Sequence, residues 1–466
     1  MALAGTVVWE VRTTGDPANS GGFNSAAAGT DRSNQDAPHV IIDGVTITAT
    51  VNATTTDLDI VGYAVSAADV GNLVRITGGT MTAGTYQINS IPAAGRWRLD
   101  RSAGVAAQTG TGRMGGANSN PGLTAAVTVA FNKVWIKAGT YSITSATQNV
   151  AGGCVIYPSG GQLWEGYQTT RGDLGTAPVL QASGINTATI FQINGNDSGG
   201  TNIEVDGAGL VAIRGIVLAG RTIGFKITAR NCTNSGITYG PGAHIIQGFA
   251  TGCSTAGGAI NQTSGGLASL YACVARANTV TGFLGCVGTY INCISASNTG
   301  ATTDGFGMSS SASFVNCVAY ANGRHGFNNN GVGQTCAFNN CVAEANVDTG
   351  FIIVNISTNI LLNLAAFGNG TNYNITATGN SIVGNFSPIT GTSSFFTSPS
   401  TGDFSLNNSL GGGALLKLTA STGTFPGIPS TSYLDRGAVQ TSGSPSGGGS
   451  GAHGSVSLGQ GTWVGR

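Results

Sequence analysis

The sequence predicts an all-β chain: a parallel β-solenoid with a small β-rich module before it, and a cap and a flexible Gly/Ser tail behind. Three observations lead there. Residues 316–327 read NCVAYANGRHGF and residues 340–351 read NCVAEANVDTGF. Aligning the neighbouring segments on that cysteine brings Cys273, Cys293, Cys317, Cys341 and Leu364 into register, at steps of 20, 24, 24 and 23 residues. Glycine is dense as well, 76 of 466 residues, which argues against helical repeats. A period of about 20 to 50 residues marks stacked units, none of which can bury its apolar face until a neighbour covers it.

Within a repeat, the residues two before, at and two after the anchor are small or apolar, as in Val315, Cys317 and Ala319 or Ile291, Cys293 and Ser295. Those one before and three after include Asn316, Tyr320, Asn340, Glu344 and Arg276. A period of two is a strand, so one short strand per coil is expected, stacked on the next at about 4.8 Å. Five residues after the anchors stand Asn278, Asn298, Asn322, Asn346 and Asn369. Equivalent positions lie above one another in a solenoid, so these predict a ladder of amides hydrogen-bonded along the axis at a bend. Further on come Phe283, Phe306, Phe327, Phe351 and Tyr373. Gly precedes each of the four phenylalanines, which predicts a tight bend with the ring turned into a core shared with the anchor cysteines.

At one residue past the anchors the coils present Val274, Ile294, Val318, Val342 and Ala365, beside Arg276, Tyr320, Glu344 and Phe367 at three past. Strand propensity favours such a row. So does a contact surface for sister subunits or an underlying shell.

The chain divides accordingly into an N-terminal segment (1–39), a β-rich module (40–118), the solenoid (119–390), a cap (391–440), a Gly/Ser linker (441–454) and a terminal peptide (455–466). In the module NLVRITGG, GTYQINSI and RWRLDRS alternate between Gly and Pro turns. A solenoid leaves unpaired strand edges at its ends, so caps are expected. VWIKAGTYSI (134–143) supplies an opening strand, and TGDFSL with TFPGIPSTSYLDRGAVQ supplies the closure. The terminal peptide SVSLGQGTWVGR carries Val456, Leu458, Trp463 and Val464, more apolar than a spacer needs, and reads either as a frayed end or as a docking peptide for a neighbour's sheet edge.

These coils resemble the right-handed parallel β-helix of the pectate-lyase-like superfamily, clearly over 225–375 and more loosely over 120–390. Cys232 and Cys253 there are anchors without the following asparagine. The segment WEVRTTGDPANSGGFNSAAAGTDRSNQDA (9–37) and LWEGYQTTRGD (163–173) resemble parts of tailed-phage virion proteins in which such a segment precedes a β-helix. The resemblance implies a virion structural protein, displayed on the particle as capsid decoration, spike or fibre and made in the host cytoplasm. Its implied partners are other virion subunits, further copies of itself and host surface polysaccharide. The alternative is a polysaccharide lyase or hydrolase of depolymerase type.

Charge and composition narrow the field. Formal net charge is zero, with 19 basic residues scattered, so there is no footprint for nucleic acid. No apolar run approaches the length of a membrane span, and MALAGTVVWEV lacks the marks of a secretory signal. Cytoplasmic synthesis without Sec export, and no membrane insertion, are expected. Nine cysteines without CxxC spacing read as mostly buried thiols, and no cofactor or metal is expected.

Pectinolytic relatives use clustered carboxylates, with bound calcium in the lyases. Between 201 and 380 this chain has Glu204, Asp206, Asp304, Glu344 and Asp348, and none of the hydrolase motifs DD, GHG or RIK. The best constellation is Arg324, His325 and Asp348, joined by Asp304. Arg324 and Asp348 both stand seven past their anchors, so they should be neighbours on adjacent coils. The constellation reads as a surface ion pair with a nearby histidine or as an acid–base site. RGD at 171–173 reads as a turn with an internal ion pair. The sequons at Asn52, Asn231 and Asn261 carry little without a secretory route, and NATTTD lacks the spacing of an ice-binding face.

Overall fold

The computed structural model describes residues 3–417 and Gly437, apart from 52–54, 122–131, 145–153, 157–159, 187, 255–256, 264, 332–333, 355–358, 377–381 and 384–387. The chain opens with β1 (Val7–Val11) and β2 (Gly22–Asn24), an antiparallel pair. A closed barrel follows, built from β3 (Val40–Val51), β4 (Thr55–Asp59), β5 (Leu73–Gly79), β6 (Gly84–Ala93), β7 (Arg96–Leu99) and β8 (Thr109–Met114) in the order β3-β4-β7-β6-β5-β8. Alternation of apolar residues fills it with Ile42, Leu58, Val74, Ile88, Trp97 and Leu99. Trp97 keeps its indole N–H satisfied on the buried Asp69 carboxylate at 3.1 Å.

The body is a parallel β-helix whose coils pass through three sheets, not through the single strand that the alternation suggested. The first sheet runs from β1 through β9 (Lys133–Lys137) to Ala337–Asn339 and Asn359–Leu362. The second runs from β10 (Thr140–Ile143) through Val274–Arg276 and Val318–Tyr320 to Ala365–Phe367. The third holds the aromatic positions, with Phe283, Phe306, Phe327, Phe351 and Tyr373 in direct register.

Left-handed residues at two corners of each coil make the difference. The residue before the anchor (Ala272, Asn292, Asn316, Asn340, Asn363) has φ between +52° and +56°. The residue four past it (Ala277, Ser297, Ala321, Ala345) has φ between +48° and +58°. A left-handed residue turns the chain sharply, and asparagine tolerates it better than most side chains. A three-residue strand is left between the corners, and the inward phase changes across the first one. Val315 and Ile291, expected inside, are half-buried on the outer surface, while Phe314 and Tyr290 point in and are fully buried.

Two ring columns fill the core. Phe283, Phe306, Phe327 and Phe351 stack at centroid separations of 4.7, 4.8 and 4.9 Å with interplanar angles of 10° or less. Tyr290, Phe314 and Phe338 form the second, at 5.0 and 5.2 Å, and meet the first edge-on. Cys232, Cys253, Cys273, Cys286, Cys293, Cys317, Cys336 and Cys341 are buried, unbridged thiols.

The asparagines form a file at the second corner. Nδ2 of Asn278, Asn298, Asn322 and Asn346 each donates to Oδ1 of the next, at 2.8 Å every time. Each amide also donates to a backbone carbonyl across the corner, as Asn322 does to Ser295 O at 3.2 Å. The file ends on Asn372, which accepts from Asn369 at 2.9 Å. The glycine before each ring serves this file rather than a special backbone angle: its φ is ordinary, but a Cβ on Gly326 would lie 2.5 Å from Gly350 O and 3.0 Å from Asn346 Nδ2.

The aliphatic row of the second sheet is covered by the chain's own C-terminal segment, so its partner is neither a sister subunit nor a shell. Val318, Val342 and Ala365 are fully buried in one cluster with Phe395, Phe396, Phe404, Leu406 and Leu416. The strands Phe396–Ser398 and Asp403–Leu406 pair antiparallel above it. The residues three past the anchors hold the cover down. Glu344 accepts from Ser394 Oγ at 2.6 Å and from Phe395 N at 2.9 Å, Tyr320 packs edge-on against Phe396 and Phe404, and Arg276 donates to Ser400 O. The terminal peptide, with Val456, Leu458, Trp463 and Val464, lies outside the described residues.

Candidate functional site

The corner between the second and third sheets brings three successive coils together. Asp348 N donates to Arg324 O at 2.9 Å, Arg324 N to Thr303 O at 2.9 Å, and Gly305 N to His325 O at 2.7 Å. Asp304, Arg324, His325 and Asp348 therefore share one patch, and Arg324 and Asp348 do occupy adjacent coils. Their side chains pair differently from the expectation. Arg324 closes a two-pronged pair on Asp304, with Nε to Oδ1 at 2.8 Å and Nη2 to Oδ2 at 2.6 Å. The planar fork fits a carboxylate in this way.

Asp304 is almost wholly buried, with 4% of its surface exposed, and receives further hydrogen bonds from Asn328 Nδ2 at 2.8 Å and His325 N at 3.4 Å. Both oxygens are thus committed. Donating to Asp304 raises the Arg324 pKa further. His325 lies beside the pair with Nδ1 3.5 Å from Asp348 Oδ2, beyond a good hydrogen bond. Burial lowers the imidazole pKa against the pull of Asp304 and Asp348, which favours the neutral ring. The Asp348 side chain is 58% exposed. Chemically, the patch offers one open carboxylate next to a neutral imidazole, with the second carboxylate held in a structural pair.

The other carboxylates between residues 201 and 380, Glu204, Asp206 and Glu344, are engaged as well. On the outer face of the second sheet, Arg230 bridges Glu204 at 2.6 Å and Asp206 at 3.2 Å. Asp206 also accepts from Asn231 Nδ2 at 3.0 Å and Ala208 N at 2.9 Å. Burial raises the Glu204 and Glu344 pKa values, the latter despite its bonds to the C-terminal cover.

One polar cluster escaped the sequence reading. Glu10 on β1 is completely buried, yet it takes Arg12 Nε at 2.8 Å, Arg171 Nε at 2.7 Å and the Tyr167 hydroxyl. Arg171 continues to Asp31 at 2.7 Å. The arginine of the RGD triplet is thereby locked to the N-terminal segment, not to its own aspartate. Asp173 instead caps a turn, accepting the backbone N–H groups of Gln168, Thr169 and Thr170. The signal was present in two segments of similar resemblance, 9–37 and 163–173, but nothing in the letters said that they touch.

No family model matches the chain, and no curated protein matches it. Solved structures to which it is similar include pectate lyase Pel9A, at 16% identity and a TM-score of 0.42, covering 70% of this chain and 91% of that one. ORF18 of Geobacillus virus E2 is similar at 16% identity and a TM-score of 0.32, over 56% and 52% of the two chains. The catalytic domain of a GH87 alpha-1,3-glucanase in complex with nigerose is similar at 11% identity and a TM-score of 0.30, over 74% and 90%.

Proposed function

We propose that this chain is a non-enzymatic structural protein of a tailed-phage particle, a stiff rod displayed on the surface as decoration, spike or fibre and offering a face to host glycan. One observation carries the reading: Glu204, Asp206, Asp304 and Glu344 are each spent on internal partners that hold coils or cover in place. A hydrolase or lyase needs carboxylates free to move protons. The asparagine file and the ring columns favour the same conclusion, because they tie each coil to the next and stiffen the rod. Resemblance of 9–37 and 163–173 to phage virion segments supplies the particle, and the lock of Glu10 on Arg171 fits a rigid mounting for the rod.

A second reading, a glycan-cleaving enzyme of depolymerase type, is favoured by Asp348, the open carboxylate 3.5 Å from a neutral histidine. Two measurements separate them. Cryo-electron imaging of purified particles, with mass spectrometry of their proteins, should find the chain as a stoichiometric surface component. Incubation with host capsule polysaccharide should release no new reducing ends or unsaturated sugars. Release that is abolished by Asp348→Asn would transfer the assignment to the enzyme.

A further inference from the structure

The outer face of the second sheet is roofed by the chain's own aromatic C-terminal segment, whereas the equivalent face of the first sheet, past the N-terminal segment and Arg171 that bury Glu10 on β1, has no roof among the described residues. Its row two before the anchors reads Phe225, Ile246, Tyr271, Ile291 and Val315 in direct register from coil to coil, before Asn339 interrupts it and Leu362 follows. Ile246 is 37% exposed, and Ile223 and Ile360, at the two ends of the neighbouring column that runs between them through His244, Ser269, Thr289, Ser313 and Ala337, are 52% and 38% exposed. An apolar stripe of such length on a sheet face marks a contact surface.

We propose that this face is the docking surface for residues 455–466 of the same chain. Three observations identify the occupant. Gly437 is buried and donates to Asn340 O at 3.0 Å, at the corner that joins the first sheet to the second. Gly437, the last described residue, therefore stands at the border of the open face. From Gly437 to Val456 a Gly/Ser-rich stretch spans roughly 25 Å as a coil. The corner at Asn340 stands four coils from Ile246, about 19 Å at the strand spacing. Finally, Trp9, Trp97 and Trp164 are fully buried and Trp135 is half-buried, and Val456, Leu458, Trp463 and Val464 bring matching apolar side chains to the stripe. A neighbour's strand edge is a poorer target. At the N-terminal end the edge of the first sheet is already taken, since β1 pairs with β2 on its free side.

The test uses the full chain with Trp463→Cys and Ile246→Cys, treated with a short bis-maleimide, beside a chain with native cysteines alone. Intramolecular cross-linking is expected for that pair, well above the pair of Trp463→Cys with Thr299→Cys, an exposed residue at the opposite corner. Equal yield from both pairs would overturn the proposal. Cross-linked dimers would overturn it too, by giving the face to a second copy. Because substitution at Ile246 disturbs the face itself, binding of an apolar dye is the second measurement. Deleting 441–466 should raise it several-fold, and unchanged binding sinks the idea.

Discussion

Asn322 Nδ2 donates to Asn346 Oδ1 over 2.8 Å, and the backbone N–H of Asn322 reaches the same oxygen at 3.1 Å, so one buried amide clamps two coils 24 residues apart. Asn322 also receives Asn298 Nδ2 at 2.8 Å. Replacing it with alanine breaks the file in the middle and leaves dry polar atoms, at a cost of about 1–3 kcal/mol for each group stranded. Asn322→Ala should lower the chemical denaturation midpoint substantially. Asn369→Ala, nearer the partly exposed end of the file, should cost less.

Gly326→Ala is expected to destabilise although the φ there is ordinary. The added methyl would meet Gly350 O at 2.5 Å and Asn346 Nδ2 at 3.0 Å, and neither can yield without opening the file. Overpacking of this kind costs about 1–3 kcal/mol. Gly368, with φ of +64° and open space around its Cβ position, is the control: alanine there should cost only the backbone strain of about 1–2 kcal/mol. Denaturation midpoints of the two variants will separate crowding from strain.

The C-terminal cover depends on Glu344. Its carboxylate is the acceptor for both Ser394 Oγ and Phe395 N, and Phe395 itself is fully buried. Glu344→Ala should loosen the cover and expose Val318 and Val342, read as faster proteolysis after residue 389 with the coils intact. Phe395→Ala should do the same more strongly, since emptying a buried phenylalanine site costs about 3–5 kcal/mol.

How far the letters went can be judged from these residues. The register of Asn298, Asn322 and Asn346 was legible because stacking repeats the same demand at the same place in every coil. The corners were not, because Asn316 and Asn340 look polar and outward in an alternating pattern. In fact they are buried and left-handed, and Asn316 Nδ2 donates to Asn292 Oδ1 at 3.2 Å in a second file. The row from Val318 to Val342 could be read as strand propensity or as a surface, and only the fold brings Phe395 onto it. At the candidate site, spacing placed Arg324 next to Asp348, but it could not foresee that Asp304, on the coil before, would win the guanidinium. Glu10 and Arg171 are 161 residues apart, and a contact between unlike segments leaves no periodic trace.

The cysteines should be silent in the folded chain. Cys273 and Cys317 are fully buried, and burial holds their thiols well above the usual range, while Cys336 is pushed up to about 11. The thiolate is the reactive form, so at these three both access and ionisation are denied, and at the other buried thiols access is. Ellman's reagent should titrate none of the eight buried thiols in native buffer and all nine cysteines of the chain in denaturant. Fast native reaction at Cys317 would mean that the coils open locally.

His325 gives the patch a pH signature. Burial sets its folded pKa below the ordinary 6.5, and Asp304 and Asp348 only partly offset that. Between 6.5 and the depressed value, the unfolded chain therefore binds a proton that the folded chain refuses, and stability falls as pH drops through that window. Glu344 acts in the opposite sense. Its raised pKa means that the folded chain holds the extra proton just above 4.5, so its contribution improves on acidification. The two are separable by subtraction. The difference in denaturation midpoint between the parent and His325→Gln should shrink steadily on acidification from about pH 7.5, because only the parent carries the penalty. A difference that instead widens in the parent's favour on acidification towards 6.5 would show that the imidazole is already charged at neutrality. Asp348 would then be its salt-bridge partner, not an open carboxylate beside a neutral ring.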